Sequence, residues 1–336
     1  MNFIAKVELL TKCEKLPHKL SQVLIKFYIS YSLAVKQNGH DIAEYDPFLQ
    51  QFLDVVVDQL VHPFHFEPYH ERLRSPIDYY QLGLDMLRPL IIFESSKVIG
   101  LNQVKCISEQ LSKGDNVILF ANHQTEPDPQ AISLLLEETF PKLAEEIIFV
   151  AGHRVISDPL AIPLSMGRNL LCIFSKKHIE NPPEQKEEKL IHNQRTMKKM
   201  SQLLAEGGKC IYVAPSGGRD RPSPNGKIEV ARFDSQSVEM FWLIAQQSDR
   251  PSHFYPLALA TYNLLPPPNS VEKEIGERRH TQCTPIHIGF GQEIDMLNFP
   301  GNEIKDKRQK RKIRSDFIWE LVKNEYKQLS DINCNV

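Results

Sequence analysis

Asn116-Val117-Ile118-Leu119-Phe120-Ala121-Asn122-His123-Gln124-Thr125-Glu126-Pro127-Asp128-Pro129 joins an apolar run to a helix start. The first six residues read as a strand of a largely buried sheet. Asp128-Pro129 reads as a helix opening, with Asp as N-cap and Pro at the first helical position. A strand, a short loop and a helix therefore place His123 and Asp128 at the carboxyl edge of a strand, where open α/β sheets bind their ligands. At this spacing a carboxylate can stand behind an imidazole, and such a pair can take a proton from a hydroxyl. No serine or cysteine is needed if that hydroxyl belongs to the substrate. The duller reading is a helix cap beside a loop histidine. The two are compatible, because a carboxylate has two oxygens and a helix N-terminus favours its ionised form.

Working outward, short β-rich runs alternate with helical ones from about residue 95. The strands expected are Asn116 to Ala121, Ile147 to Ala151, Leu170 to Phe174, Lys209 to Ala214, Phe254 to Ala260 and Pro285 to Phe290. Helical patterns fall at Pro129 to Glu138, Glu187 to Glu206, Ser237 to Gln247 and Lys305 to Leu329. Upstream, Ser21 to Val35, Pro47 to Val61 and Ile77 to Leu87 carry apolar residues at helical spacing. The expected fold class is α/β: a small N-terminal helical bundle over residues 1–88, then a larger α/β domain over 89–336 with a mixed central sheet flanked by helices.

The bulk numbers exclude some functions. A net charge of −2 over 336 residues argues against wholesale nucleic-acid binding. The 41% hydrophobic and 24% charged fractions are those of a globular chain, and no run reaches the roughly 18 apolar residues of a bilayer span. The first residues lack the pattern of a signal or transit peptide. Six scattered cysteines, Cys13, Cys106, Cys172, Cys210, Cys283 and Cys334, form no CxxC pair. They read as reduced thiols without structural zinc or disulfides, which points to the cytoplasm.

Other stretches end predicted strands. Ala214-Pro215-Ser216-Gly217-Gly218-Arg219-Asp220-Arg221-Pro222 offers two glycines for close backbone approach and two guanidiniums that suit a phosphate dianion. Equally, it reads as a glycine turn with solvated arginines and Asp220 paired locally. Phosphate cradles of the GxxxxGK[ST] or GxGxxG kind are absent. Ser175-Lys176-Lys177-His178 reads as a solvated basic turn or as the rest of an anion site. Gly152-His153-Arg154 and Ser165-Met166-Gly167-Arg168-Asn169 read as turns or pocket walls. His62, His65 and His70 raise the question of zinc, but two prolines and interleaved aromatics favour loop packing, and no metal is expected. Lys305 to Arg314, with Lys307, Arg308 and Arg311, reads as a solvated helix face or as a dock for an acidic protein or anionic membrane.

Taken together, Asn122 to Pro129, Phe149 to His178 and Ala214 to Pro222 resemble the soluble glycerol-3-phosphate acyltransferases of the plastid type, which also occur in bacteria. The resemblance covers most of residues 115 to 260. It implies acyl transfer from acyl carrier protein or coenzyme A to the sn-1 hydroxyl of glycerol 3-phosphate, with no cofactor. His123 and Asp128 match the family's catalytic pair, and Lys177, His178, Arg219 and Arg221 its phosphate-binding set. Lys307, Arg308 and Arg311 are the expected carrier dock, peripheral membrane contact the alternative. Ser216 stands where membrane-bound relatives carry a glutamate, which separates this chain from lysophosphatidate acyltransferases. His153 stands where plant members carry an acidic residue and is given no role. If the chain is a processed plastid protein, its place is the stroma. A metal-dependent phosphohydrolase would need clustered carboxylates that the sequence lacks, and a non-catalytic lipid- or carrier-binding protein would not need the His123/Asp128 pair.

Overall fold

The computed structural model describes residues 2–268 and 279–333. Three helices open the chain: α1 (Phe3–Lys12), α2 (His18–Gln37) and α3 (Ile42–Val61), followed by β1 (Tyr69–His70) and α4 (Tyr79–Leu87). Then come β2 (Lys97–Ile99), α5 (Leu101–Ser112), β3 (Asn116–Ala121), α6 (Asp128–Leu136), α7 (Pro141–Glu146), β4 (Ile148–Gly152), α8 (Ile162–Met166) and β5 (Asn169–Ile173). The remainder is α9 (Lys176–Ile179), α10 (Lys186–Glu206), β6 (Cys210–Val213), β7 (Arg221–Pro222), β8 (Ile228–Glu229), α11 (Ser235–Gln246), β9 (Ser252–Ala260), β10 (His287–Phe290) and α12 (Lys307–Asn333).

Eight strands form one sheet in the order β1-β5-β4-β6-β3-β9-β10-β2. The five central strands β5, β4, β6, β3 and β9 are mutually parallel, so their carboxyl ends share one edge. β1 pairs antiparallel to β5 and β10 antiparallel to β9, which makes the sheet mixed, and β2 runs parallel to β10 at the far edge. β3 lies in the middle and is buried along its whole length. Val117, Leu119 and Ala121 pack with Ile107, Ile132 and Leu136 on one face. Ile118 and Phe120 pack with Phe241, Phe254 and Ile318 on the other. Cover on both faces is why this strand reads as a continuous apolar run rather than an alternation.

The N-terminal helices bury their apolar stripes against each other and against Ala131 and Leu134 of α6. Asp41 caps α3 by accepting from the Ala43 N–H, so the helix starts before Pro47, which stands inside it. Tyr69–His70, ahead of residue 88, already pairs with β5, so the sheet takes in a piece of the segment expected to be helical. α1 and α5 were not expected from the sequence. Each buries only two residues, Phe3 and Val7 or Val104 and Ile107, too few to set a period. Gly100 enters α5 at φ +79°, with a Cβ position only 2.1 Å from the Phe290 carbonyl oxygen, so no other residue fits there.

Candidate active site

β3 delivers His123 to the middle of the carboxyl edge. Its Nδ1 lies 2.8 Å from Oδ2 of Asp128, with the imidazole 31% exposed and the carboxylate 1%. Nδ1–H donating to that carboxylate leaves Nε2 as the nitrogen available to a substrate. The expected N-cap role for Asp128 is corrected: the residue preceding α6 is Pro127, which has no capping side-chain bond. Asp128 instead turns its oxygens back into the preceding loop. Oδ2 accepts from the Gln124 N–H at 2.8 Å, and Oδ1 from the Thr125 N–H and hydroxyl at 3.2 and 2.9 Å. The Thr261 hydroxyl, from beyond β9, reaches Oδ1 at 2.6 Å. Burial alone pushes the carboxyl pKa up. The His123 hydrogen bond and charge, then Thr261 and Gln124, outweigh burial and hold it below the ordinary carboxylate value.

The side chains on either side of His123 are committed to scaffolding. Asn122 pairs with the Leu259 backbone through both its amide atoms, at 2.7 and 3.0 Å. Gln124 Oε1 accepts from the Thr261 and Tyr262 N–H groups. The Tyr212 hydroxyl donates to the Asn122 carbonyl at 2.8 Å.

The loop after β6 meets His123 directly: the Asp220 N–H donates to the His123 carbonyl at 2.7 Å. Asp220 is buried and accepts from Asn122 Nδ2 at 2.7 Å, Gln124 Nε2 at 3.2 Å and the Ala231 N–H at 2.9 Å. Those three donors, rather than a local arginine, fill the acceptor positions that the sequence reading left open. Arg219 and Arg221 flank Asp220 and are half-buried, with Arg221 Nη1 on the Pro268 carbonyl at 3.1 Å.

His178 lies on α9, just past β5 on the same edge. Three strand steps separate β5 from β3, about 14 Å at the usual spacing. Its carbonyl accepts from Lys189 Nζ at 3.0 Å, and its ring stands 6.1 Å from that of His153. The side chain of Lys177 lies outside the described residues. The sheet thus brings His123 and the Arg219–Arg221 loop into contact and sets His178 farther along the same edge.

Other stretches resolve into packing. His70 sits in an aromatic cluster with Phe64 and Phe66, and His62 pairs with Asp58. Among the described residues, no group of three or more His, Cys, Asp or Glu could hold a metal. Arg168 is buried under Tyr80, with its guanidinium 4.7 Å from the ring centre. At the start of α12, Lys307 and Arg308 are exposed, Arg311 is half-buried, and Arg314 is buried, paired with Glu239 and lying over Trp242.

Two groups of functional interest went unread in the sequence. Thr261 carries no local signal, since only the β3–β9 pairing brings it to Asp128. The other is a buried ion cluster in which Arg279 bridges Glu126 at 3.0 Å and Asp158 at 3.1 Å. It ties the loop between His123 and Asp128 to the segment around Asp158, between β4 and α8. Beside it lies an apolar cavity lined by Leu24, Phe27, Phe52, Met86, Leu160 and Leu164.

This fold and site define an acyltransferase: a family model of that description matches residues 103–259, a span that holds His123, Asp128, His178, Arg219 and Arg221. The chain is 41% identical over 324 residues to glycerol-3-phosphate acyltransferase ATS12, chloroplastic, of Cucurbita moschata, covering 95% of this chain and 70% of that protein. It is 37% identical over 331 residues to the chloroplastic glycerol-3-phosphate acyltransferase of Spinacia oleracea, covering 97% and 70%. The chain belongs to the glycerol-3-phosphate acyltransferase family. Among solved structures, the 1-acyl-sn-glycerophosphate (LPA) acyltransferase PlsC of Thermotoga maritima matches 90% of this chain and 97% of its own, at 17% identity and a TM-score of 0.42.

Proposed function

We propose that this enzyme transfers an acyl group from a thioester to the sn-1 hydroxyl of glycerol 3-phosphate, giving lysophosphatidate, by direct attack without an acyl-enzyme. The observation that carries this reading is the partly exposed imidazole held on a fully buried carboxylate at the sheet edge. His123 Nε2 takes the hydroxyl proton as the oxygen attacks the thioester carbonyl, and Asp128 stabilises the imidazolium that forms. The thiol leaves with a proton as the tetrahedral intermediate collapses. No cofactor or metal takes part.

Lys177, His178, Arg219 and Arg221 hold the phosphate and so fix the glycerol in register with the base. Each charge-assisted hydrogen bond there contributes about 1.5–3 kcal/mol. Arg219→Ala therefore raises KM for glycerol 3-phosphate by roughly ten- to a hundredfold with a smaller change in kcat. Steady-state kinetics with the acceptor varied checks this, and an unchanged KM removes Arg219 from the phosphate site. Arg221 also holds the Pro268 carbonyl, so Arg221→Ala is the less clean variant.

The donor is acyl carrier protein or coenzyme A, and Lys307, Arg308 and Arg311 form the carrier's dock. The helix start supports this reading. Asp306 accepts from the Gln309 N–H at 2.6 Å, yet the first turn of α12 carries no acid, so its basic residues stand at the positive end of the helix dipole. Such an arrangement costs stability that an acidic partner offsets. Lys307→Glu with Arg308→Glu should leave the melting temperature unchanged or higher. It should raise KM for an acyl-carrier donor about three- to tenfold at low salt while sparing acyl-coenzyme A. Equal KM values for the carrier donor return this face to solvent or to a membrane surface. Among the described residues no helix is long and apolar enough to cross a membrane. The chloroplastic names of the relatives favour the plastid stroma over the cytoplasm.

A further inference from the structure

We infer that Asp220 is a positioning residue that locks the base-bearing loop to the phosphate-bearing loop, so that acceptor recognition and proton removal are set by one rigid unit. The inference rests on the acyl-transfer reading above and adds to it a residue that takes no part in the chemistry. Its backbone N–H holds the carbonyl of His123 itself. Its Oδ2 holds both side chains that flank His123, Asn122 and Gln124, and these are already fastened to β9 and to Thr261 just beyond it. Its Oδ1 fastens the return of the same loop at Ala231. Arg219 and Arg221 are its neighbours in the chain, so guanidiniums on this loop can move little relative to the imidazole.

The lock depends on charge. Both carboxylate oxygens face donors only, and a protonated Asp220 presents an O–H against one of them. The titratable groups facing it are His123 on the β3 loop, Tyr212 on β6 and Tyr326 on α12, with Arg219 and Arg221 alongside. Burial pushes Asp220 up to about 6, against the pull of its hydrogen bonds from Ala231, Asn122 and Gln124 and of His123. Because the folded value lies above the unfolded one, protonation stabilises the fold: stability attributable to this group falls as pH rises from the ordinary carboxylate range through about 6. Here protonation lowers activity while this group's own contribution to stability increases.

The test is the pH dependence of kcat/KM for glycerol 3-phosphate. Asp220 adds one proton to the acid limb of the logarithm of kcat/KM, on top of what wild type and an Asp220 variant share, including the second ionisation of the acceptor phosphate at about pH 6. Asp220→Asn, which mimics the protonated form, should lower kcat/KM about a hundredfold at pH 8, the cost of a misplacement near 1 Å. Its effect should fall on both KM and kcat, and its acid limb should be shallower than the wild type's by one proton. An acid limb in Asp220→Asn as steep as in wild type, or an Asp220→Asn enzyme with wild-type KM and kcat, overturns the inference. If that variant does not fold, Asp220→Glu, which keeps the charge but displaces the carboxylate from its donors, is measured instead, and wild-type KM and kcat in it overturn the inference. A wild type that transfers no acyl group to glycerol 3-phosphate at any pH defeats the acyl-transfer reading instead, so the two failures are distinct.

Discussion

His123→Ala should lower kcat by roughly 10²–10⁴-fold while leaving the dissociation constant for glycerol 3-phosphate nearly unchanged. The asymmetry follows from the geometry. His123 meets the acceptor at its hydroxyl end, whereas the charged groups proposed to hold the phosphate come from other strand ends. The scaffold around His123 does not depend on its ring: Asn122 and Gln124 hold the loop through β9, and Asp220 holds the His123 carbonyl. Alanine therefore removes an interaction needed in the transition state and leaves acceptor binding alone, though Asp128 loses its foremost hydrogen-bond partner. Calorimetry for binding and single-turnover kinetics for chemistry separate the two. Equal losses in both would mean that the ring binds the substrate.

Asp128→Asn should be nearly as damaging to turnover, roughly 10²–10⁴-fold in kcat, and it should also destabilise the fold. The carboxylate accepts from His123, from the Gln124 and Thr125 N–H groups, and from the hydroxyls of Thr125 and Thr261. An amide turns an NH₂ toward some of these donors. Each buried donor left without an acceptor costs about 1–3 kcal/mol. The imidazole also loses the partner that fixes its tautomer and offsets its charge. The sign of the pH effect is opposite to that at Asp220. Asp128 has a folded pKa below the ordinary value, so its stabilisation is present above the unfolded carboxylate pKa and is lost as pH falls through the folded one. In Asp128→Asn that part of the acid dependence of melting should vanish. A variant with wild-type kcat would reduce Asp128 to a loop fastener.

The sheet was largely legible in the sequence, because its central strands are buried on both faces and so read as unbroken apolar runs. Ile148–Gly152, Asn169–Ile173 and Cys210–Val213 fall within a residue or two of their expected places. Edge pieces such as Tyr69–His70 and Lys97–Ile99 are too short to carry a period and are fixed by their partners. The pairing of His123 with Asp128 was legible because both ends lie within one loop. The identity of the groups holding that pair was not. Thr261 lies 133 residues away from Asp128, and Asp220 looked like the natural partner of the arginines beside it. Its burial beneath the loop is a product of the parallel β3–β6 pairing, which no local pattern encodes. Asp128 reads as an N-cap from its neighbour Pro129, yet the loop behind it offers more donors than the helix ahead.

The most direct measurement is a single-turnover assay with purified enzyme in excess over a labelled acyl thioester and saturating glycerol 3-phosphate, run on wild type and on His123→Ala. The account predicts that wild type forms 1-acyl-glycerol 3-phosphate in one exponential, while His123→Ala binds the acceptor with wild-type affinity and forms the same product at least a hundredfold more slowly. Wild-type single-turnover rates in His123→Ala, or a wild type that cleaves the thioester without acylating the acceptor, would contradict it.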